Sequence, residues 1–338
     1  MKKRLMAAVL STAMAATMLL TGSISVQAAD AAAANDPAVE LIFTSVSVSG
    51  DSHTEAMYEF ADKVEELSGG SVTCKCYDNG SLFSSENEFD ALLNGDADLA
   101  YISFPTIATQ IPSYSMFASG YLFSSYEHMT SVLNGDIGLN KIRPQIEETL
   151  NIKPLSSFYL GSRVINTREK EINSYDDMNG LLLRMPNSEA WLFLGEALGA
   201  NPTPLSFSEL YTALQTGAVD GQENPLFTIY NSRFYEVQKY LSLTEHFYPV
   251  CPLMMSEITW NKLSPEQQDI VADAMKKSVD YERELAGEEL DKMLEGCKEK
   301  GMEVNEVDKA PFIEAVQPVY EKYNSQFGSL IEKINAAK

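Results

Sequence analysis

The sequence predicts an α/β protein of two lobes, and three observations support that expectation. From Gly180 to Pro225, apolar runs short enough for strands alternate with runs of helical spacing, the pattern of successive βα units. The stretch Ala91-Leu92-Leu93-Asn94-Gly95-Asp96-Ala97-Asp98 is echoed by Ala213-Leu214-Gln215-Thr216-Gly217-Ala218-Val219-Asp220. Each reads as a helix end, a glycine stop and a new strand, so similar units are expected in both halves. A helical pattern from Ser264 to Lys300, about 50 Å long if unbroken, is long enough to brace two lobes.

In chain order, Lys2, Lys3 and Arg4 precede an apolar run from Leu5 to Leu20, and Val26-Gln27-Ala28 supplies small residues at cleavage spacing. Residues 1–28 therefore read as a secretory signal, and the alanine-rich residues 29–37 as a disordered leader. Leu20-Thr21-Gly22-Ser23 has the form of a lipoprotein box with serine in place of the thiol, so no lipid anchor is expected. The first lobe is assigned to residues 38–160 and 249–285. Its expected elements are strand Leu41–Val46, helix His53–Leu67, strand Val72–Tyr77, helix Glu86–Leu93 and strand Leu99–Ser103. An irregular stretch Phe104–Phe123 and helices around Glu127–Leu150 follow. The second lobe is assigned to residues 161–248 and 286–338. After it begins, His246–Cys251 should cross back to a first-lobe strand at Leu253–Thr259. Gly287 is a candidate joint in the long helix, and one last helix is expected over Pro311–Ile334.

Within Gly180–Pro225, a strand at Leu181–Arg184 ends at Pro186, and the helix of Ser188–Leu198 follows. A strand near Thr203–Leu205 leads to Ser206, which forms a capping-box pattern with Glu209, and Leu210, Tyr211 and Leu214 recur at helical spacing. Gly217 ends that helix before a strand at Val219–Gln222. Arg184 thus falls at the carboxyl end of one strand and Asn224 just beyond another. Strand Pro154–Leu160 followed by Gly161-Ser162-Arg163 brings a second guanidinium to the same edge, the ligand-facing edge of an open α/β sheet. Two planar donor forks and an amide at one place suit an organic carboxylate. Any one arginine alone would equally serve a structural ion pair. Ser47 and Ser103 stand at strand ends of the first lobe and are candidates for the ligand's polar groups, although ordinary loop polarity accounts for them as well. The rings of Trp191, Phe193, Phe207, Tyr211 and Phe227 could stack on a cyclic acid or serve the core; Trp191 and Tyr211 are carried as site candidates.

The 338 residues carry a formal charge of −23, and loss of the three cations in residues 1–28 makes it −26. So acidic a surface argues against nucleic acid and anionic membrane as partners. No segment after the leader is long and apolar enough to span a membrane, so the mature chain is expected to be soluble and to act as a monomer. Cys74 and Cys76 share a strand face too closely to pair comfortably, and Cys251 and Cys297 stand apart, so four free thiols are expected. With three histidines and no metal spacing, neither a metal nor a cofactor is expected. The sequence contains no P-loop, GxSxG elbow, dinucleotide fingerprint, HExxH or CxxC, so an enzyme is not expected. Asp220 and Glu223 could form a catalytic carboxylate pair, but salt bridging or capping suits their spacing better.

The GSR at Arg163 with Thr167, DDMNGLLLRMPNS (Asp176–Ser188), LGANPTPLSFSELYTALQTGAVDGQENP (Leu198–Pro225) and EVQKYLSLTEH (Glu236–His246) resemble, in order and spacing, the extracytoplasmic solute-binding proteins of TRAP transporters, the DctP-type receptors. Weaker similarity runs from about Glu40 to the C-terminus. The resemblance implies a two-lobed periplasmic binding-protein fold with a hinge and a long helix bridging the lobes. It implies an exported receptor that captures an organic acid for TRAP membrane subunits, with Arg184 as the main carboxylate anchor and Arg163 and Asn224 assisting. A receptor presenting its ligand to an ABC permease or a sensor kinase is the other reading. Gly120 and Phe83 depart from the family pattern, which places a proline before the aromatic pair and a glycine after Ser81-Leu82, and both lie in the lobe that reads the far part of the ligand.

Overall fold

The computed structural model describes residues 36–158 and 161–337. The expected signal and almost all of the leader lie outside them, as does Leu160, where one hinge crossing was expected. The chain forms two sheets, each the centre of a lobe. The first has five strands in the order β2-β1-β3-β10-β4: β1 Val39–Thr44, β2 Val72–Tyr77, β3 Leu99–Tyr101, β4 Ile152–Phe158 and β10 Cys251–Ser256. The second has six in the order β11-β9-β5-β8-β6-β7: β5 Arg163–Thr167, β6 Leu182–Met185, β7 Asn201–Pro204, β8 Gly221–Pro225, β9 Tyr240–Phe247 and β11 Glu303–Glu306. The βα units supply parallel pairs, β1 with β2 and β3, and β6 with β7 and β8. Crossing strands enter antiparallel: β10 beside β3 and β4, and β5 beside β8 and β9.

That topology decides which residues reach the space between the lobes. In a parallel pair the carboxyl ends share one edge, and an antiparallel neighbour presents its amino end there. The first sheet therefore offers the ends of β1 and β3 and the start of β10, and the second the ends of β6 and β8 and the start of β5. Arg163 was expected after the end of a strand; it opens β5 instead and reaches the same edge because β5 runs antiparallel to β8. Asn224 lies inside β8, one residue before its end, rather than beyond it.

Helix α1 (Ser52–Ser68) buries Ala56, Met57, Phe60 and Val64 against Leu41, Phe43 and Leu99 of the first sheet. Gly69 takes φ 61° and stops it, a conformation that a β-carbon disfavours. The long helix α2 (Pro265–Glu299) starts on a capping box, with Ser264 Oγ accepting from Gln267 N and Gln267 Oε1 accepting from Ser264 N, both at 3.1 Å. Its Val271, Ala274, Met275 and Val279 pack on the first sheet, whereas Ala286, Leu290 and Met293 pack on Phe227 and Cys297 joins the second-lobe core. One helix thus touches both lobes. It continues through Gly287, so the expected joint is not there.

The expected single last helix is three: Ala310–Ala315, Gln317–Phe327 and Leu330–Ala336, with Pro318 and Gly328 at the breaks. Phe312 packs in the second lobe. Val316, Tyr320, Tyr323, Ile331 and Ile334 instead join Phe104, Phe117 and Met254 in the first-lobe core. Residues from Val316 onward, assigned from sequence to the second lobe, therefore pack on the first. Tyr320 donates its hydroxyl to Gly120 O at 2.6 Å. Gly120, which departs from the family pattern, lies against the second lobe: a β-carbon there would stand 3.1 Å from Leu194 Cδ1 and 3.3 Å from His246 O.

Candidate ligand-binding cleft

A cleft of about 180 Å³ lies between the two carboxyl edges. The second lobe lines it with Arg163, Arg184, Pro186, Trp191, Phe207 and Asn224, and the first with loops after β1 and β3 and the start of β10. Strand alternation sorts the polar groups. Arg184 stands opposite Gln222, so Arg184, Gln222 and Asn224 share one face of the sheet. Arg163 stands opposite Pro225, on the face of Glu223.

The two guanidiniums are held differently. Arg163 Nε and Nη2 reach the two carboxylate oxygens of Glu223 at 2.5 and 2.7 Å, a bidentate pair in which both residues are buried. His246 Nε2 lies 3.2 Å from the same carboxylate, and Thr244 Oγ1 lies 2.9 Å from its Nδ1. Burial alone would raise the Glu223 carboxyl, but the Arg163 guanidinium and the His246 hydrogen bond outweigh it and hold it below its usual range. Trp191 lies under Arg163, ring centre 4.9 Å from Cζ, and packs edge-on against Phe247 at 5.0 Å.

Arg184 is 2 % exposed, and its Nε donates to Leu205 O at 2.9 Å. Among the described residues no carboxylate pairs with it. Burial lowers its pKa to about 10, with the charges of Glu223 and Arg163 pulling in opposite directions, so it stays cationic at neutral pH. Phe207 lies 6.0 Å from its Cζ. The cleft thus contains one compensated guanidinium and one that lacks a carboxylate partner.

Asn224 donates through Nδ2 to Gln222 Oε1, and Gln222 Nε2 donates to Asn166 Oδ1 at 2.5 Å. This side-chain chain fixes which way the Asn224 amide faces. Asp220 accepts from Leu182 N at 2.9 Å, pinning the start of β6. Asp220 and Glu223 are thus engaged separately, one by a backbone N–H and the other by Arg163.

On the first-lobe wall, Ser47 and Ser103 both line the cleft; Ser103 Oγ pairs with Thr106 Oγ1 at 2.9 Å. Asp51 accepts from Thr228 Oγ1 at 3.1 Å and Asn231 Nδ2 at 3.0 Å, bonds that cross from one lobe to the other. Burial raises the Asp51 carboxyl to about 7 despite them. His53 is buried against Tyr101, ring centres 4.5 Å apart, and burial lowers its pKa to about 3. Six of the seven sequence candidates, Arg184, Arg163, Asn224, Ser47, Ser103 and Trp191, line this one cleft. Tyr211 does not. It lies in an adjoining cavity of about 460 Å³ that shares Val46, Ser85 and Phe207 with the cleft, and its hydroxyl donates to Glu236 at 2.6 Å. Half-buried on the helix Phe207–Thr216, it does not reach the wall of the Arg184 cleft.

Sequence reasoning missed Asp51, Glu88 and Thr228, because an isolated acid or hydroxyl in a helical first turn carries no signal of its own. It missed Cys251 as a wall residue for a different reason: only the antiparallel entry of β10 brings that position to the edge. The four thiols are free.

Two α/β lobes joined by crossing segments and closing on an arginine-bearing cleft define a two-lobed solute-binding protein. The chain belongs to the bacterial extracellular solute-binding proteins, family 7 (DctP), whose family model matches residues 43–326. It is 34 % identical over 277 residues to the sialic acid-binding periplasmic protein SiaP of Vibrio cholerae, covering 82 % of this chain and 86 % of that one. Its fold is similar to a TRAP periplasmic solute-binding protein of Roseobacter denitrificans with bound 3-deoxy-D-manno-oct-2-ulosonic acid: TM-score 0.83, 36 % identity, 89 % of this chain and 100 % of that one. It is also similar to a TRAP periplasmic solute-binding protein of Sulfurospirillum deleyianum with bound succinate: TM-score 0.84, 29 % identity, 90 % and 100 % coverage. Among the described residues no helix is long and apolar enough to cross a membrane.

Proposed function

We propose that this chain is an exported receptor that captures a small organic carboxylate in the cleft and delivers it, unchanged, to TRAP-type membrane subunits. The observation that carries this reading is Arg184, a buried guanidinium on a strand end whose charge no described carboxylate neutralises. A bidentate carboxylate supplies the missing partner, and closure of the lobes strengthens that pair by excluding water. Arg163 assists mainly through position, since Glu223 already compensates its charge, and Asn224 offers an amide fixed by Gln222. The bound acids of the structurally similar TRAP receptors support the choice of ligand class. Residues 1–28 provide the export signal in this reading.

Mass spectrometry of the purified protein, denatured to release its cargo, tests the proposal. An organic acid recovered near one equivalent, and lost from Arg184→Ala, is the expected result. A retained cationic or neutral ligand would overturn it.

A further inference from the structure

The two lobes bring opposite chemistry to the cleft. Among the described residues lining it the cations are Arg163 and Arg184, both from the second lobe, whereas the first lobe contributes two acids, Asp51 and Glu88, and no lysine or arginine. Asp51 is occupied by Thr228 and Asn231. Glu88 is 4 % exposed, and its Oε1 has no hydrogen-bond partner. Folded proteins leave few such atoms, and one on the wall of a binding cleft is placed to meet a ligand.

Burial holds the Glu88 carboxyl well above the usual carboxylate range, which favours its protonated form. A protonated carboxyl presents an O–H donor and a carbonyl acceptor side by side, which matches a hydroxyl or an amide. Its neighbours on this wall are also uncharged: the hydroxyls of Ser85, Ser103 and Thr106, and the Cys251 thiol, which burial pushes up to about 12.

Resting on the carboxylate-receptor reading, the geometry points to Glu88 as the residue that selects the far end of the ligand, and to a preferred ligand with one carboxylate for Arg184 and an uncharged, hydroxyl- or amide-bearing end for Glu88. A dicarboxylate would bury its second charge against this wall with no described cation of the first lobe to receive it, an uncompensated charge that disfavours it.

Calorimetric titration with six probes tests this: D-glucuronate, D-gluconate and 3-deoxy-D-manno-oct-2-ulosonate against succinate, fumarate and 4-aminobutyrate, on wild type, Glu88→Leu, Glu88→Gln and Arg184→Ala, with ligand-free melts confirming folding. At least one hydroxy acid is expected to bind roughly tenfold or more tightly than any of the other three probes. Glu88→Leu should weaken that acid roughly tenfold, and Glu88→Gln, which keeps donor and acceptor without charge, should restore most of it. Succinate or fumarate binding best, or the best hydroxy acid binding Glu88→Leu as tightly as wild type, would overturn the selection while leaving the carboxylate reading in place. Tighter binding of 4-aminobutyrate, lost in Glu88→Gln, would show Glu88 acting as an anion and overturn it too. Failure of all six probes, or binding unaffected by Arg184→Ala, would overturn the carboxylate reading itself and this inference with it.

Discussion

Arg163 and Glu223, diagonal neighbours on adjacent antiparallel strands, form a buried bidentate pair, 2.5 Å at the closer contact, and this pair separates the roles of the two arginines. Because Glu223 takes up one guanidinium, the field that an incoming carboxylate meets is dominated by Arg184. The first prediction follows. Glu223→Gln leaves Arg163 buried opposite a neutral amide, and breaking such a pair costs about 3–5 kcal/mol. Urea unfolding of the ligand-free variant should show that loss, partly recovered by a bound organic acid that now meets two uncompensated guanidiniums. A change below about 1 kcal/mol, within the range of a surface pair, would contradict the assignment.

Asp51 ties stability to pH. Its carboxyl ordinarily titrates near 3.8 and stands at about 7 in the folded protein, raised by burial. The folded state therefore holds a proton that the unfolded state has released, and the contribution is full below 3.8 and lost as pH rises through about 7. His53 acts in the opposite sense: its value falls from 6.5 to about 3, so its contribution is present above 6.5 and lost as pH falls toward 3. The difference in unfolding free energy between wild type and Asp51→Asn should therefore fall as pH rises across this window, with a slope of at most about 1.4 kcal/mol per pH unit. A flat difference would show that Asp51 is not desolvated in the unliganded protein.

Gly287 is exposed inside an unbroken helix, and a β-carbon there meets nothing within 4 Å. Gly287→Ala should raise stability by about 0.5–1 kcal/mol by restricting the unfolded chain, with ligand affinity unchanged. A loss of affinity in calorimetry, with stability raised, would restore the flexible joint that the sequence suggested and the helix does not show.

The second lobe was legible because its chemistry sits on regular elements. Short apolar runs and helical spacing located β6, β8 and the helices between them to within about three residues, and those elements carry Arg184 and Asn224 to one edge. What the sequence left open depended on strand direction and long-range packing. Arg163 was brought to the right edge for the wrong reason, since nothing local tells that β5 runs antiparallel to β8. The last two helices, given to the second lobe, pack on the first, because amphipathic spacing says that Tyr320 and Ile331 are buried without saying against what. Tyr211 shared the spacing of its buried neighbours yet faces Glu236 and an adjoining cavity. The first-lobe wall was the least legible part: the importance of Asp51 and Glu88 comes from burial and from what stands across the cleft, and neither is written in the residues beside them.

The central claim is that Arg184 anchors the ligand carboxylate, and isothermal titration of Arg184→Ala and Arg184→Lys, with the acid recovered from the wild-type protein, tests it most directly. Removing the guanidinium leaves a desolvated carboxylate without a counter-charge, so Arg184→Ala should lose about 3–5 kcal/mol of binding, a factor of several hundred or more. Arg184→Lys should recover part of that, since an ammonium keeps the charge and loses the fork. A folded Arg184→Ala that binds the acid as tightly as wild type would contradict the account and place the carboxylate elsewhere in the cleft.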